Sequence, residues 1–135
     1  MTTLCITGGA GFIGSNLVRM IAREGRYRVV VLDALTYAGN LENLHGVIDG
    51  DRVRFVHGSI TDRPLVEETL RRENVHAVLH LAAESHVDRS IASAGPFVET
   101  NVQGTLVMLE AARACGVQRF VHVSTDEVYG TLGPD

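Results

Sequence analysis

Lysine is absent from the chain: all 12 basic residues are arginine, so no step that needs a lysine amine can be carried by these residues. Cysteine is scarce too. Cys5 and Cys115 stand far apart, which argues against a disulfide framework and fits reduced thiols. With 3 prolines, and glycines spread through hydrophobic periodic segments, there is no Pro/Gly-rich disordered tract. No apolar run approaches the ~18 residues that span a bilayer. The N-terminal run Met1-Thr2-Thr3-Leu4-Cys5-Ile6-Thr7 lacks the basic region of a signal peptide. Positive charge is also in deficit: 16 acids against 12 bases leave a net charge of −4, which argues against a broad nucleic-acid or anionic-membrane face. What remains is 135 residues, 45% apolar and 21% charged, the balance of one globular domain with a real core, expected in the cytoplasm.

Short apolar runs alternate with longer helical patterns. Residues 4–7, 29–32, 53–56, 77–81 and 120–124 are rich in Val, Ile and Leu and bounded by turn residues, as buried parallel strands are. Between them, helices are predicted at about 12–25, 62–72 and 97–115. In the first, Ile13, Leu17, Met20 and Ile21 form the apolar face; in the third, Val98, Val102, Leu106, Leu109 and Ala112 continue a stripe. Asp62 before Arg63-Pro64 is an N-cap candidate, and Gly116 is placed to end the third helix. Residues 34–50 read as an irregular connection with one helical turn near Leu41–Leu44. The alternation predicts an α/β, doubly wound parallel sheet. Such a fold ordinarily carries a sixth strand, so the pattern reads as cut off after the fifth, an incomplete domain over residues 1–135.

Four segments carry chemistry. Thr7-Gly8-Gly9-Ala10-Gly11-Phe12-Ile13-Gly14 falls between strand and helix, with Gly8, Gly11 and Gly14 spaced to let a backbone approach a pyrophosphate at a helix N-terminus. An ordinary tight turn would look similar. Asp33 follows about 20 residues later, where a carboxylate meets the adenosine ribose and repels a 2′-phosphate, favouring NAD over NADP. Leu81-Ala82-Ala83-Glu84-Ser85-His86 leaves the fourth strand with small residues suited to a flat cofactor; Ser85 is a candidate for cofactor, substrate or both, while His86 alone reads as a surface residue. Ser124-Thr125-Asp126-Glu127 leaves the fifth, and two adjacent carboxylates there can divide acid and base roles. No metal site is expected.

Together with Leu35-Thr36-Tyr37-Ala38-Gly39-Asn40-Leu41, Val87-Asp88-Arg89-Ser90-Ile91, Thr100-Asn101-Val102-Gln103-Gly104-Thr105 and Val128-Tyr129-Gly130, these segments resemble the extended short-chain dehydrogenase/reductase superfamily. Within it they are most similar to the N-terminal half of the dTDP-glucose 4,6-dehydratase family. The glycine loop identifies only the superfamily; the Ala-Glu-Ser-His-Val-Asp-Arg-Ser and Thr-Asp-Glu runs are more specific. The resemblance implies a Rossmann-type NAD-binding domain and a sugar oxidised at C4, dehydrated across C5 and C6, then reduced at C6. Glu127 is implied as the base at C5, Asp126 as the acid at the departing hydroxyl, and Thr125 as the group holding the sugar oxygen. Phe12, Ile13, Asp33, Ala34, Leu35, Thr36, Ile60, Leu81, Ala82, Ala83, Ser85 and Thr100 match cofactor-lining positions, Ser85 touching substrate as well. A homodimer through the helix at 97–115 is implied too, although its stripe serves equally for packing on the sheet.

Two departures stand out. Ser59 occupies a position where the family commonly has an Asp that meets the adenine amine, so weaker NAD binding is expected. The family's Tyr-x-x-x-Lys pair is also missing: Tyr129 is followed four residues later by Gly133, so these residues alone are not expected to complete the first oxidation. A stand-alone NAD-binding module, an epimerase and a GDP-mannose 4,6-dehydratase are the competing readings.

Overall fold

The computed structural model describes residues 1–131 and 133; Leu132, Pro134 and Asp135 of the predicted 1–135 unit lie outside the described residues. Five parallel strands, β1 (Thr2–Thr7), β2 (Tyr27–Asp33), β3 (Val53–His57), β4 (Ala77–His80) and β5 (Arg119–His122), lie in the order β3-β2-β1-β4-β5. The doubly wound sheet is as expected. The side-chain alternation of β1 explains why both faces must be covered. Leu4 and Ile6 point to one face, where Val18 and Ile21 of α1 (Phe12–Glu24) pack with Val29, Val31 and Leu44. Cys5 points to the other, where Val66 and Leu70 of α2 (Arg63–Arg72) meet Met108 and Ala111 of a later helix.

Local signals set the helix ends. The Asp62 carboxylate accepts from the Leu65 N–H at 3.1 Å, with Pro64 in the first turn of α2. Gly116, at φ +71°, lets Val117 N–H reach the Ala112 carbonyl at 2.9 Å and ends the last helix. The turn at Leu41–Leu44 is present as a short 3-10 helix.

Three expectations need correction. The core face of α1 is built on Val18 and Ile21, whereas Ile13 and Met20 are 66% and 53% exposed, because the apolar residues surround more of that helix than one stripe. The predicted 97–115 helix is composite. It is preceded by α3 (Val87–Ala92), enters through α4 (Gly95–Phe97), widens to i→i+5 bonding over Val98–Gly104, and tightens again as α5 (Thr105–Ala114). Most of its stripe does not pack on the sheet: Val98, Val102, Leu106 and Leu109 are exposed, whereas Ala112 joins Met108 and Ala111 on the buried face. Finally, β5 stops at His122, so Ser124 lies outside the strand.

A buried polar chain ties the elements together at the point where the strand order reverses. The Thr7 hydroxyl oxygen accepts from the Leu81 and Ala82 amides at 3.2 and 3.1 Å, so its own proton goes to His80 Nδ1 at 2.7 Å. His80 is then the Nε2–H tautomer, donating to Thr105 Oγ1 at 3.1 Å on α5. Burial, and then the charge of His122 stacked 5.2 Å away, push the His80 pKa down from 6.5 to about 4. The depressed value means the fold holds the neutral ring. Its stabilisation is complete above 6.5 and is lost as pH falls from there toward about 4. Over that window the unfolding free energy should drop by on the order of 3 kcal/mol through this group. Urea unfolding of wild type and His80→Gln between neutral and mildly acid pH checks this: the difference between them should shrink as pH falls, and parallel curves would rule it out.

Candidate functional site

The carboxyl ends of β1 and β4 diverge to helices on opposite faces, and the crevice they leave is where doubly wound sheets bind ligands. The glycine loop lines it. Gly8, at φ +69°, sends its N–H to the Leu32 carbonyl at 3.0 Å, and a Cβ there would sit 2.8 Å from the Ala82 nitrogen. At Gly14 a Cβ would run into the Gly8 carbonyl. The loop therefore lies flat against the exit of β4 and the first turn of α1. Gly11 opens that helix with no side-chain cap and no acid in the first turn, and Phe12 and Ile13 stand exposed beside it. Uncapped amides at the positive end of a helix macrodipole form a cradle for an anion such as a diphosphate.

Asp33, 8% exposed, closes β2. Its Oδ2 accepts from Ala10 N–H at 2.9 Å and its Oδ1 from Leu35 N–H at 2.8 Å, which locks the carboxylate beside the loop and leaves lone pairs free for ribose hydroxyls. Leu35 is held at φ 52°, uncommon for a branched side chain. The Ala34 carbonyl accepts from His57 Nε2–H at 3.1 Å, and Thr36 stands at the exposed rim. Ser59 is engaged elsewhere: its Oγ accepts from Thr61 N–H at 3.1 Å and lies 2.7 Å from the Thr61 hydroxyl, so at most one lone pair remains for an adenine amine. Ile60 is buried in the core against the bare Cα of Gly104.

Leu81, Ala82 and Ala83 lead from β4 to the exposed Ser85, and Thr100 is half-buried on the widened helical segment. Thr125, Asp126 and Glu127 form the entry of a short 3-10 turn, Asp126–Tyr129, beyond β5. The Thr125 oxygen accepts from Glu127 N–H at 3.1 Å, and its hydroxyl donates to Glu127 Oε2 at 3.3 Å. Both carboxylates are exposed on the same sheet edge as the glycine loop, one strand beyond β4. Among the described residues no helix is long and apolar enough to cross a membrane, and no group of three His, Cys, Asp or Glu is placed to hold a metal ion.

One residue of the crevice carried no assigned role in the sequence. Asn101 Nδ2 donates to the Glu84 carbonyl and its Oδ1 accepts from the Glu84 N–H, both at 2.8 Å. That two-sided clamp fixes the Ala83–Ser85 stretch to the helix. Its signals in the sequence were an amide residue inside a helical pattern and its place in the Thr100–Thr105 segment that carries the resemblance.

Glycine loop, β2 carboxylate and the Thr-Asp-Glu turn at one edge of a doubly wound sheet define an extended short-chain dehydrogenase/reductase domain. More narrowly, the chain belongs to the family described as GDP-mannose 4,6 dehydratase, whose model matches residues 5–135. It is 53% identical over 98% of its length to the dTDP-glucose 4,6-dehydratase of Neisseria meningitidis serogroup B, covering 40% of that protein. It is 54% identical to the Streptomyces venezuelae dTDP-glucose 4,6-dehydratase DesIV, crystallised with NAD, at a TM-score of 0.91, covering 99% of this chain and 42% of that one. A UDP-glucose-4-epimerase from Stenotrophomonas maltophila, also with NAD bound, is more distant at 30% identity and a TM-score of 0.88, covering 98% of this chain and 39% of that one. The chain thus spans about 40% of the length of the curated relatives it matches.

Replacing Asn101 by Ala strands the Glu84 N–H and C=O without their partner. The expected cost is about 2 kcal/mol of unfolding free energy, with faster proteolysis around residues 83–85. Unfolding titrations and limited proteolysis read both, and a neutral substitution would remove the clamp from the account.

Proposed function

We propose that this chain supplies the NAD-binding half and the acid–base pair of a dTDP-glucose 4,6-dehydratase. The observation that carries the reading is the Thr125-Asp126-Glu127 turn standing on the same sheet edge as the glycine loop, in a chain about half identical to dTDP-glucose 4,6-dehydratases. The flat loop and uncapped first turn of α1 fit a dinucleotide diphosphate, and Asp33 fits an unphosphorylated ribose. Ala34, Leu35, Thr36, Ser59, Ile60, Leu81, Ala82, Ala83, Ser85 and Thr100 are proposed to surround the rest of the cofactor.

NAD, when bound, supplies the redox chemistry: the hydride taken from sugar C4 is the one returned at C6. The remaining work falls to side chains of this chain. Thr125 has one hydroxyl proton, which in this structure goes to Glu127. Turning that proton to the sugar's 4-oxygen releases the Glu127 carboxylate to take the proton from C5, made acidic by the adjacent carbonyl. Asp126 in its acid form donates to the 6-hydroxyl, which leaves as water. Ser85 positions sugar and cofactor alike.

With no lysine available, the first oxidation needs groups outside these 135 residues, which alone are expected not to turn over. Two unpaired thiols fit a reducing compartment, the cytoplasm. The exposed stripe Val98, Val102, Leu106 and Leu109 is proposed to pair with a second copy, since a four-residue apolar ridge on a helix favours a helix partner.

The test is to supply the full-length protein with dTDP-glucose, GDP-mannose and UDP-glucose and follow loss of water by mass. Dehydration of dTDP-glucose is expected, and Glu127→Gln should slow it by about 10²–10⁴ while reduced cofactor accumulates. Formation of a 4-epimer without loss of water would instead favour the epimerase reading. Ser59→Asp restores a charged acceptor for the adenine amine and should tighten NAD by about fivefold, read by calorimetry; unchanged affinity would refute that role for Ser59.

A further inference from the structure

The connections leaving β2 and β4 meet each other. Between those strands lies β1, so a contact between their exits has to cross over the carboxyl end of β1 and its glycine loop. Tyr37 comes from the β2 side and Arg89, on α3, from the β4 side, with the Arg89 Cζ 4.0 Å from the Tyr37 ring centroid. The His86 ring meets the same tyrosine edge-on, at 6.4 Å and 74°.

Each arm is anchored at the crevice. Behind Tyr37, Asn40 N–H and Asn43 Nδ2 both donate to the Ala10 carbonyl, at 3.1 and 2.8 Å, inside the glycine loop. Ahead of Arg89, the Thr7 hydroxyl takes the Leu81 and Ala82 amides and Asn101 clamps Glu84. The bridge itself rests on nothing. Tyr37 is 47% exposed, Arg89 is exposed, and α3 buries no residue at all. An exposed ring–cation pair adds little to the fold, and a six-residue helix without a buried face has no core to seat it. Phe12 and Ile13, at the uncapped start of α1, stay exposed.

We propose that Tyr37 and Arg89 form a clasp across the dinucleotide crevice that retains the bound cofactor. The stacked pair closes the span above the diphosphate cradle, and the guanidinium places a positive charge on its rim. The two residues take no part in the proton transfers. They set how long the cofactor stays, so release requires the two loops to part. This rests on the NAD-binding reading above.

The experiment is the rate of NADH release from the full-length protein, followed by fluorescence in a chase with excess NAD, for wild type, Tyr37→Leu, Arg89→Gln, their double variant and Tyr37→Phe. Each of the first two single variants should release about two- to fivefold faster, the double variant no faster than the quicker single one, and Tyr37→Phe, which keeps the ring face, at the wild-type rate. All positions are exposed, so the variants should fold, and circular dichroism verifies it. If wild type binds no NADH, the cofactor reading and the clasp fall together. If wild type binds and the single variants release at its rate, or their effects add independently, the clasp alone is overturned and the cofactor reading stands.

Discussion

The Thr7 side chain is the interaction on which the rest of the site depends. Its hydroxyl accepts two amides from the exit of β4 and gives its one proton to His80, which passes the connection on to Thr105 of α5. That small group therefore fixes the separation of β1 and β4 just where their connections diverge. A bulkier residue would push the β4 exit away from Gly8, and an apolar one would leave the Ala82 amide and His80 Nδ1 without their partner, while the Leu81 amide would keep the Thr7 carbonyl at 3.2 Å. The close approach of Gly8 to the exit of β4 is a consequence of this local closeness.

The elements that were legible in the sequence are those whose cause is local. Asp62 with Pro64 starts α2, Gly116 ends α5, and the glycine spacing before Asp33 places the loop and the carboxylate, because each acts over a few residues of its own chain. What escaped has a tertiary cause. The widened segment Val98–Gly104 coincides with Gly104 pressing against Ile60 and Asn101 reaching Glu84, neither of which periodicity reveals. The helix α3 buries no residue, and its ring–cation contact reaches a loop about fifty residues earlier, which no local pattern reveals. Nothing local marks His80, whose role depends on β1, β4 and α5 converging on it. In α1 the misplaced apolar face followed from Ile13 and Met20, apolar residues that the fold leaves exposed.

Burial is uneven across the molecule. Strands β1 and β2 are nearly closed off from solvent, while Val121 and Val123 around β5 are about half exposed and the ridge from Val98 to Leu109 is bare. The proposed cofactor cradle sits on the closed half and the Thr-Asp-Glu turn on the open half. The curated relatives are longer, and this chain spans about 40% of their length.

The central claim is that the crevice at the β1–β4 divergence holds an unphosphorylated dinucleotide, with Asp33 choosing it. Calorimetric titration of the full-length protein with NAD and with NADP measures this directly. The account predicts one NAD per chain and binding of NADP weaker by at least about tenfold, because the 2′-phosphate would meet the buried Asp33 carboxylate. Equal affinity for the two cofactors, or no binding of either, would contradict it.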